Sequence, residues 1–355
     1  MKQPTVPPNR IYAAAGTPLP DPRPTGVGRG ARSIAYSRLN PASPLRFCLL
    51  GLLLPLVLWA APAQRGATRE EGGNSWVTPV VHAPGVEQRI FKSAAARTNV
   101  SFFILKPQQY EREKQQRFPV LYWLHGTGGG LAGVAKLAGH FGAAMRAGSI
   151  PPMLVVFPNG LTKSMWCDSV DGTMPVETML VKELVPYVDT TFRTLTNRSG
   201  RIIEGFSMGG YGAARLGFKY HDLFGAISIL AGGPLDLQFN GPRAAAKPEE
   251  RNRMLSAVYG TLDGFRAQSP VVLADQNAAA VRGKTKLRMA TGARDFTLDL
   301  NRKFSEHLNK LNVPHSFTVP PGVGHDAMGL LNALGEANWE FYRSALREGE
   351  HPRQP

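Results

Sequence analysis

Cysteine is nearly missing from this chain. Only Cys48 and Cys167 occur among its 355 residues, which excludes a disulfide-rich scaffold and a cysteine-built metal centre. Nor is there an HExxH segment or a paired Cys/His spacing, so the usual zinc-hydrolase signatures are missing and neither a metal nor a cofactor is expected. Acidic residues are scarce as well, 26 Asp/Glu against 41 Lys/Arg, for a net charge of +15. Part of that excess is local, because residues 1–63 hold seven Lys/Arg and one Asp. Elsewhere the basic residues are scattered, without runs and without interleaved aromatics. That pattern excludes a nucleic-acid site and describes a solvated basic surface.

Long apolar runs are missing too, with one exception. Phe47–Ala61 is apolar but carries Gly51 and Pro55, and it is short for a comfortable bilayer span. Arg38 and Arg46 precede it and Ala61-Pro62-Ala63 follows. A basic flank, a short apolar stretch and a small-x-small site together read as a cleavable signal peptide within a targeting region, residues 1–63. Export to the periplasm or the medium is therefore expected, with no stable membrane insertion after cleavage; an uncleaved anchor is the alternative. The segment ahead of the apolar run is long for such a signal, as a start codon set too early would make it. Cys48 would leave with the signal, and Cys167 alone would remain.

What is present is a globular composition, 43% hydrophobic and 19% charged, enough for one sizeable core. Residues 64–85 read as a linker, and residues 86–348 as a single domain in which strand and helix signals alternate. Strands are expected at Val86–Lys92, Val100–Leu105, Pro119–Leu124, Met153–Phe157, Arg201–Glu204, Ala226–Leu230, Leu287–Thr291 and His315–Val319. Helices are expected at Glu177–Thr191, Gly209–Tyr220, Leu298–Leu311 and Leu330–Leu346. The middle strands are short continuous apolar runs, the pattern of a mostly parallel sheet with helices on both faces. Residues 232–284 break the rhythm and read as a lid or binding insertion.

One motif carries chemistry. Gly205-Phe206-Ser207-Met208-Gly209 follows a strand and opens a helix, the setting of a nucleophile elbow, whose tight turn demands small flanking residues. A serine hydroxyl needs a base. Of the histidines that follow Ser207, His325 lies in a Pro/Gly loop after the last strand, where a base would be delivered to the carboxyl edge of the sheet. Asp295, after the preceding strand, is the candidate acid, with Asp299 in reserve; Asp326 adjoins the histidine too closely to turn onto its ring. An oxyanion would rest on the N–H of Met208 and of Thr127 in His125-Gly126-Thr127-Gly128-Gly129-Gly130. That glycine run lacks the Lys-Ser/Thr ending of a phosphate loop, and His125 reads as structural. Trp166, in the long loop after Pro158, is either a substrate-binding or a packing aromatic.

Taken together, Pro119–Gly126, Val156–Gly160, Glu177–Phe192, Glu204–Gly217, Gly292–Asp295 and Pro321–Asp326 resemble the family known as Putative esterase, which includes esterase D, feruloyl esterases and mycolyltransferases. The resemblance spans about residues 85–345. It implies an α/β-hydrolase fold, a triad of Ser207, Asp295 and His325, oxyanion donors at Thr127 and Met208, and a small-molecule or polysaccharide-linked ester as substrate. This chain departs from the family where an aromatic, usually Trp, often follows the His-Asp pair: Ala327 and Met328 stand there, leaving the alcohol side more open or differently lined. An acyltransferase with the same triad, or a non-catalytic carbohydrate-binding member of the fold, are the rival readings.

Overall fold

The computed structural model describes residues 75–239 and 247–347. The expected targeting region, including the apolar run 47–61, lies outside the described residues, as do 64–74 of the expected linker. The chain divides into two units, 1–63 and 64–355, and the second holds all of the described residues.

Eight strands form one sheet in the order β1-β2-β4-β3-β5-β6-β7-β8. They are β1 Val86–Ser93, β2 Thr98–Leu105, β3 Val120–Leu124, β4 Leu154–Pro158, β5 Arg201–Phe206, β6 Ala226–Leu230, β7 Lys286–Ala290 and β8 Ser316–Thr318. β1 and β2 form a hairpin, and β2 runs antiparallel to β4; every later pairing is parallel. This is the α/β-hydrolase fold. The sheet sits where the apolar runs placed it: β3, β4 and β6 are buried along their whole length, because helices cover both faces.

After a short turn of helix, α1 Gln109–Arg112, come α2 Leu131–Arg146, α3 Val176–Thr178, a π-helical stretch over Met179–Leu184 and α4 Val185–Thr191. The π-helical stretch runs straight into Pro186, which has no N–H to donate to the preceding turn. Then follow α5 Met208–Lys219, α6 Pro248–Tyr259, α7 Leu262–Gln268, α8 Pro270–Val281, α9 Leu298–Lys310, α10 Ala327–Leu334 and α11 Glu336–Arg347. The single helix expected over Leu330–Leu346 is thus two, broken at Gly335, whose φ of 52° a side-chain-bearing residue seldom adopts.

Register brings the chemistry to one edge. Leu124 of β3 lies beside Gly205 of β5, Phe206 beside Leu230 of β6, Leu230 beside Ala290 of β7, and Ala290 beside Thr318 of β8. The loops holding His125, Ser207, Asp295 and His325 therefore all leave the same carboxyl edge, where ligands of open α/β sheets collect. Beneath that edge a buried polar cluster ties the strands together. Arg288 of β7 donates to Glu204 of β5 at 2.6 Å and to Ser228 of β6 at 2.8 Å, and Tyr342 of α11 donates to Glu204 at 2.8 Å. Removing one partner from such a pair costs roughly 3–5 kcal/mol, since a buried charge is left alone. Glu204 directly precedes the elbow, so this cluster is its foundation.

Two expectations require correction. Residues 75–85 are not a free linker: Asn159 donates to the carbonyls of Ser75 and Trp76 at 2.9 and 3.0 Å, and Ser101 N–H donates to Trp76 at 2.8 Å. Those bonds bind the segment to the end of β4 and to β2. The insertion 232–284 is not a lid, at least in its described residues. None of them lines the cleft at Ser207. Phe239, Tyr259 and Phe265 are instead buried as a mutually packed aromatic cluster, and Tyr259 donates to Tyr211 of α5 at 2.8 Å. The buried aromatics of α6 and α7 pack against Tyr211 of α5 rather than over the cleft.

Candidate active site

β5 ends in a bend so sharp that Ser207 takes φ 60° and ψ −119°, a conformation costly for any residue with a Cβ. Two glycines allow it. A Cβ on Gly205 would strike the carbonyl of Gly209, and one on Gly209 would strike that of Leu124. α5 can therefore start directly against β3 and β5, and the Ser207 side chain stands at its first turn. No side-chain cap ties the Ser207 hydroxyl to the helix.

The hydroxyl instead meets His325. The imidazole Nε2 lies 2.9 Å from Ser207 Oγ, and Nδ1 lies 2.8 Å from Asp295 Oδ2 and 3.0 Å from Oδ1. All three side chains come from separate loops. The Asp295 side chain is fully buried and that of His325 is 12% exposed. Thr297 supplies what holds the carboxylate still: its N–H and its hydroxyl both donate to Asp295 Oδ1, at 2.8 and 2.9 Å. Gly292 and Arg294 are in turn pinned to the histidine loop. A Cβ on Gly292 would strike the Val323 carbonyl, and Arg294 N–H donates to that carbonyl at 2.8 Å.

Burial pushes the Asp295 carboxyl up, but the bonds from His325 and Thr297 outweigh it and hold the pKa below the ordinary value of 3.8. With the folded value depressed, the unfolded chain binds the proton first. The stabilisation is complete above the ordinary value and is lost as pH falls through the folded one. Thermal melts between about pH 5 and pH 3 should therefore show the native chain losing stability more steeply than Asp295→Asn. Parallel curves would show that Asp295 contributes nothing to acid lability.

The other candidates sort cleanly. Asp299 is exposed at the start of α9, 3.6 Å from Arg302, and does not reach His325. Asp326 caps α10, accepting from Met328 N–H at 3.1 Å. Among the later histidines, His315 bonds Ser305 at 2.7 Å and His307 pairs with Asp275 at 2.8 Å; both are structural. Met208 is the first residue of α5, so its N–H has no partner within the helix. Thr127 lines the cleft together with Ser207 and His325.

Trp166 is a correction. It is wholly buried and does not line the cleft. Met165 and Trp166 both adopt left-handed φ, 56° and 55°, which turns the loop inward. The indole then fills the space left by two glycines: a Cβ on Gly160 would lie 2.5 Å from the ring and one on Gly212 2.6 Å. It is a packing aromatic.

Two aromatics that the motifs did not single out do meet the site. Phe206 and Phe296 flank the His325 ring, with centroids 4.6 and 4.4 Å away. Phe296 is 48% exposed, and it directly follows the candidate acid; that adjacency was the available signal. The cleft measures about 420 Å³, and Trp123, Leu137, Phe206, Ala327 and the glycine loop are among the residues that line it. No Asp, Glu, Lys or Arg lines it. Among the described residues no three His, Cys, Asp or Glu side chains gather in a way that could hold a metal ion.

A model of the family described as Putative esterase matches residues 93–348, essentially the whole described domain. This chain belongs to that family. Among curated relatives, Esterase Rv1288 of Mycobacterium tuberculosis is 28% identical over 258 residues, 66% of this chain and 54% of the relative. An endo-1,4-beta-xylanase/feruloyl esterase of Xylanibacter ruminicola is 29% identical over 175 residues, 44% of this chain and 24% of that one. The esterase family chain thus spans about half the length of the Mycobacterium relative and less of the other. Among solved structures, a ferulic acid esterase superposes with a TM-score of 0.60 at 24% identity, covering 73% of this chain and 97% of its own. At that identity the likeness speaks for the fold.

Proposed function

We propose that this chain is an exported serine hydrolase that cleaves carboxylic esters through an acyl-enzyme on Ser207. The observation that carries the reading is the continuous line Ser207 Oγ, His325 Nε2, His325 Nδ1, Asp295 Oδ2, with steps of 2.9 and 2.8 Å between side chains. Buried Asp295 accepts from Nδ1–H, which leaves Nε2 free to take the Ser207 proton. As Oγ attacks the ester carbonyl, negative charge develops on its oxygen, and the N–H groups of Met208 and Thr127 receive it at the start of α5. His325 then hands the proton to the departing alcohol. Water repeats the sequence on the acyl-enzyme and returns free Ser207 and a carboxylic acid.

The substrate inferred from the cleft is an ester with an uncharged, largely apolar acyl group, because aromatic and aliphatic side chains line the space beside Ser207 and no charged ones do. The names of the relatives, esterase and feruloyl esterase, agree with ester cleavage. Export is inferred from the basic flank, short apolar run and Ala61-Pro62-Ala63.

The test is trapping. A fluorophosphonate should label the native protein once, at Ser207 by peptide mass, and hydrolysis of an aryl ester should stop in proportion. An unlabelled protein, or label elsewhere with activity lost, would end the proposal. Repeating the turnover with an acceptor alcohol separates hydrolysis from acyl transfer, since transfer yields a new ester in place of the acid.

A further inference from the structure

The mechanism uses the N–H of Thr127, a residue in a glycine-rich loop that has little side-chain packing of its own. Backbone in such a loop points wherever its peptide planes are held. Two buried side chains hold them here. His125 Nδ1 lies 2.8 Å from the Gly126 carbonyl, and Trp166 Nε1–H donates to the His125 carbonyl at 3.1 Å.

The protonation state of His125 can be read from its other nitrogen. Gly160 N–H points at Nε2 from 3.0 Å. A backbone N–H can only donate, so Nε2 must be the bare acceptor. The ring proton is therefore on Nδ1, and Nδ1–H donates to the Gly126 carbonyl. Burial pushes the pKa of His125 down to about 4, which keeps this neutral form in place through the working range. The ring is also boxed in: it lies 4.9 Å from the indole of Trp166, and a Cβ on Gly130 would overlap it.

Geometry does the rest. In a trans peptide the C=O and the N–H point in opposite directions. With the Gly126 carbonyl drawn toward the imidazole, the N–H of Thr127 is turned away from it, and Thr127 itself lines the cleft. The next donor along, Gly128 N–H, is bound to the Thr162 carbonyl at 3.3 Å. Gly126 itself adjoins the nucleophile, its Cβ position lying 3.3 Å from Ser207 Cβ. We propose that His125 and Trp166 are positioning residues for the oxyanion site: acting through the peptide between Gly126 and Thr127, they together aim Thr127 N–H at the point where the carbonyl oxygen becomes negative. The inference rests on the acyl-enzyme reading of Ser207.

Substitutions at His125 separate aiming from packing. His125→Asn keeps a donor near the Nδ1 position. His125→Gln keeps an acceptor for Gly160 near the Nε2 position but loses the donor. For an aryl ester, His125→Gln and His125→Ala should each lower kcat by ~10- to 100-fold, less than loss of a whole oxyanion donor, with KM within about twofold. His125→Asn should recover most of that loss. Binding of an alkyl boronic acid, which forms a tetrahedral adduct on serine, should weaken in step with kcat, while binding of the product alcohol should not. Trp166→Phe, which keeps the ring and loses the N–H, should shift kcat in the same direction by a smaller factor.

A folded His125→Ala protein with native kcat would overturn the inference. So would Gln rescuing as well as Asn, for then the ring only fills space. If the Ala variant does not fold, the Asn and Gln pair and Trp166→Phe still decide. A parallel Ser207→Ala control keeps the two levels apart. If that control stays active, the nucleophile assignment fails. If it is dead while the His125 and Trp166 variants match the native enzyme, only the positioning role fails.

Discussion

Ser207→Ala should lower kcat/KM for a short-chain aryl ester by at least ~10³-fold, because among the described residues no other hydroxyl is hydrogen-bonded to His325. The substitution is unusually clean. Ser207 makes no capping bond to α5, and among the described residues its side chain hydrogen-bonds His325 alone. Alanine tolerates the left-handed backbone at 207 no worse than serine, since both carry the same Cβ. The melting temperature should therefore stay close to native while turnover collapses. Residual hydrolysis would come from the oxyanion donors and from binding alone. Initial rates with and without the substitution, on protein matched by melting curve, give the answer. A Ser207→Ala protein that kept its activity would require a different nucleophile and would remove the functional case altogether.

Asp295→Asn should lower kcat by ~10³- to 10⁴-fold, a loss known where a triad acid becomes its amide. In this chain the reason is local and can be followed atom by atom. Thr297 donates twice to Oδ1, from its N–H and from its hydroxyl. In the amide side chain the atom at that position must remain the oxygen, because an NH₂ there would face the Thr297 N–H, which can only donate. The NH₂ is then forced to the Oδ2 position, 2.8 Å from His325 Nδ1. It donates along the shorter contact, which favours Nδ1 as the acceptor over its 3.0 Å approach to Oδ1, and the ring proton then sits on Nε2, facing Ser207. A histidine with its proton there cannot take another from serine. Nitrogen chemical shifts of His325 would report the tautomer directly, and the fluorophosphonate reaction should slow alongside kcat. An Asp295→Asn protein with native rate and Nδ1 still protonated would refute the account.

Most of the architecture was legible because its signals are local. The eight strands stand where short apolar runs predict them, to within two residues at every end, since a strand covered on both faces needs an unbroken apolar run. Gly205 and Gly209 mark the elbow because backbone contact there leaves no room for a side chain. Errors fell where the deciding contact is distant in sequence. The inward turn of Trp166 depends on Gly160 and Gly212, the latter on another element. The insertion 232–284 looked like a lid because its length and mixed pattern say nothing about which surface its apolar side chains will find. That surface is α5, through Tyr259 and Tyr211.

Residue order alone therefore determined the sheet, the bend and the identity of the groups able to do acid–base work, because period, glycine placement and Ser-acid-His order are written along the chain. Only the tertiary structure decided which donors fix Asp295, which aromatics flank His325, and where the loop at Thr127 is held. Those depend on side chains many positions apart meeting within about 3 Å, the distance at which a hydrogen bond acquires direction. A linear pattern carries no such distance.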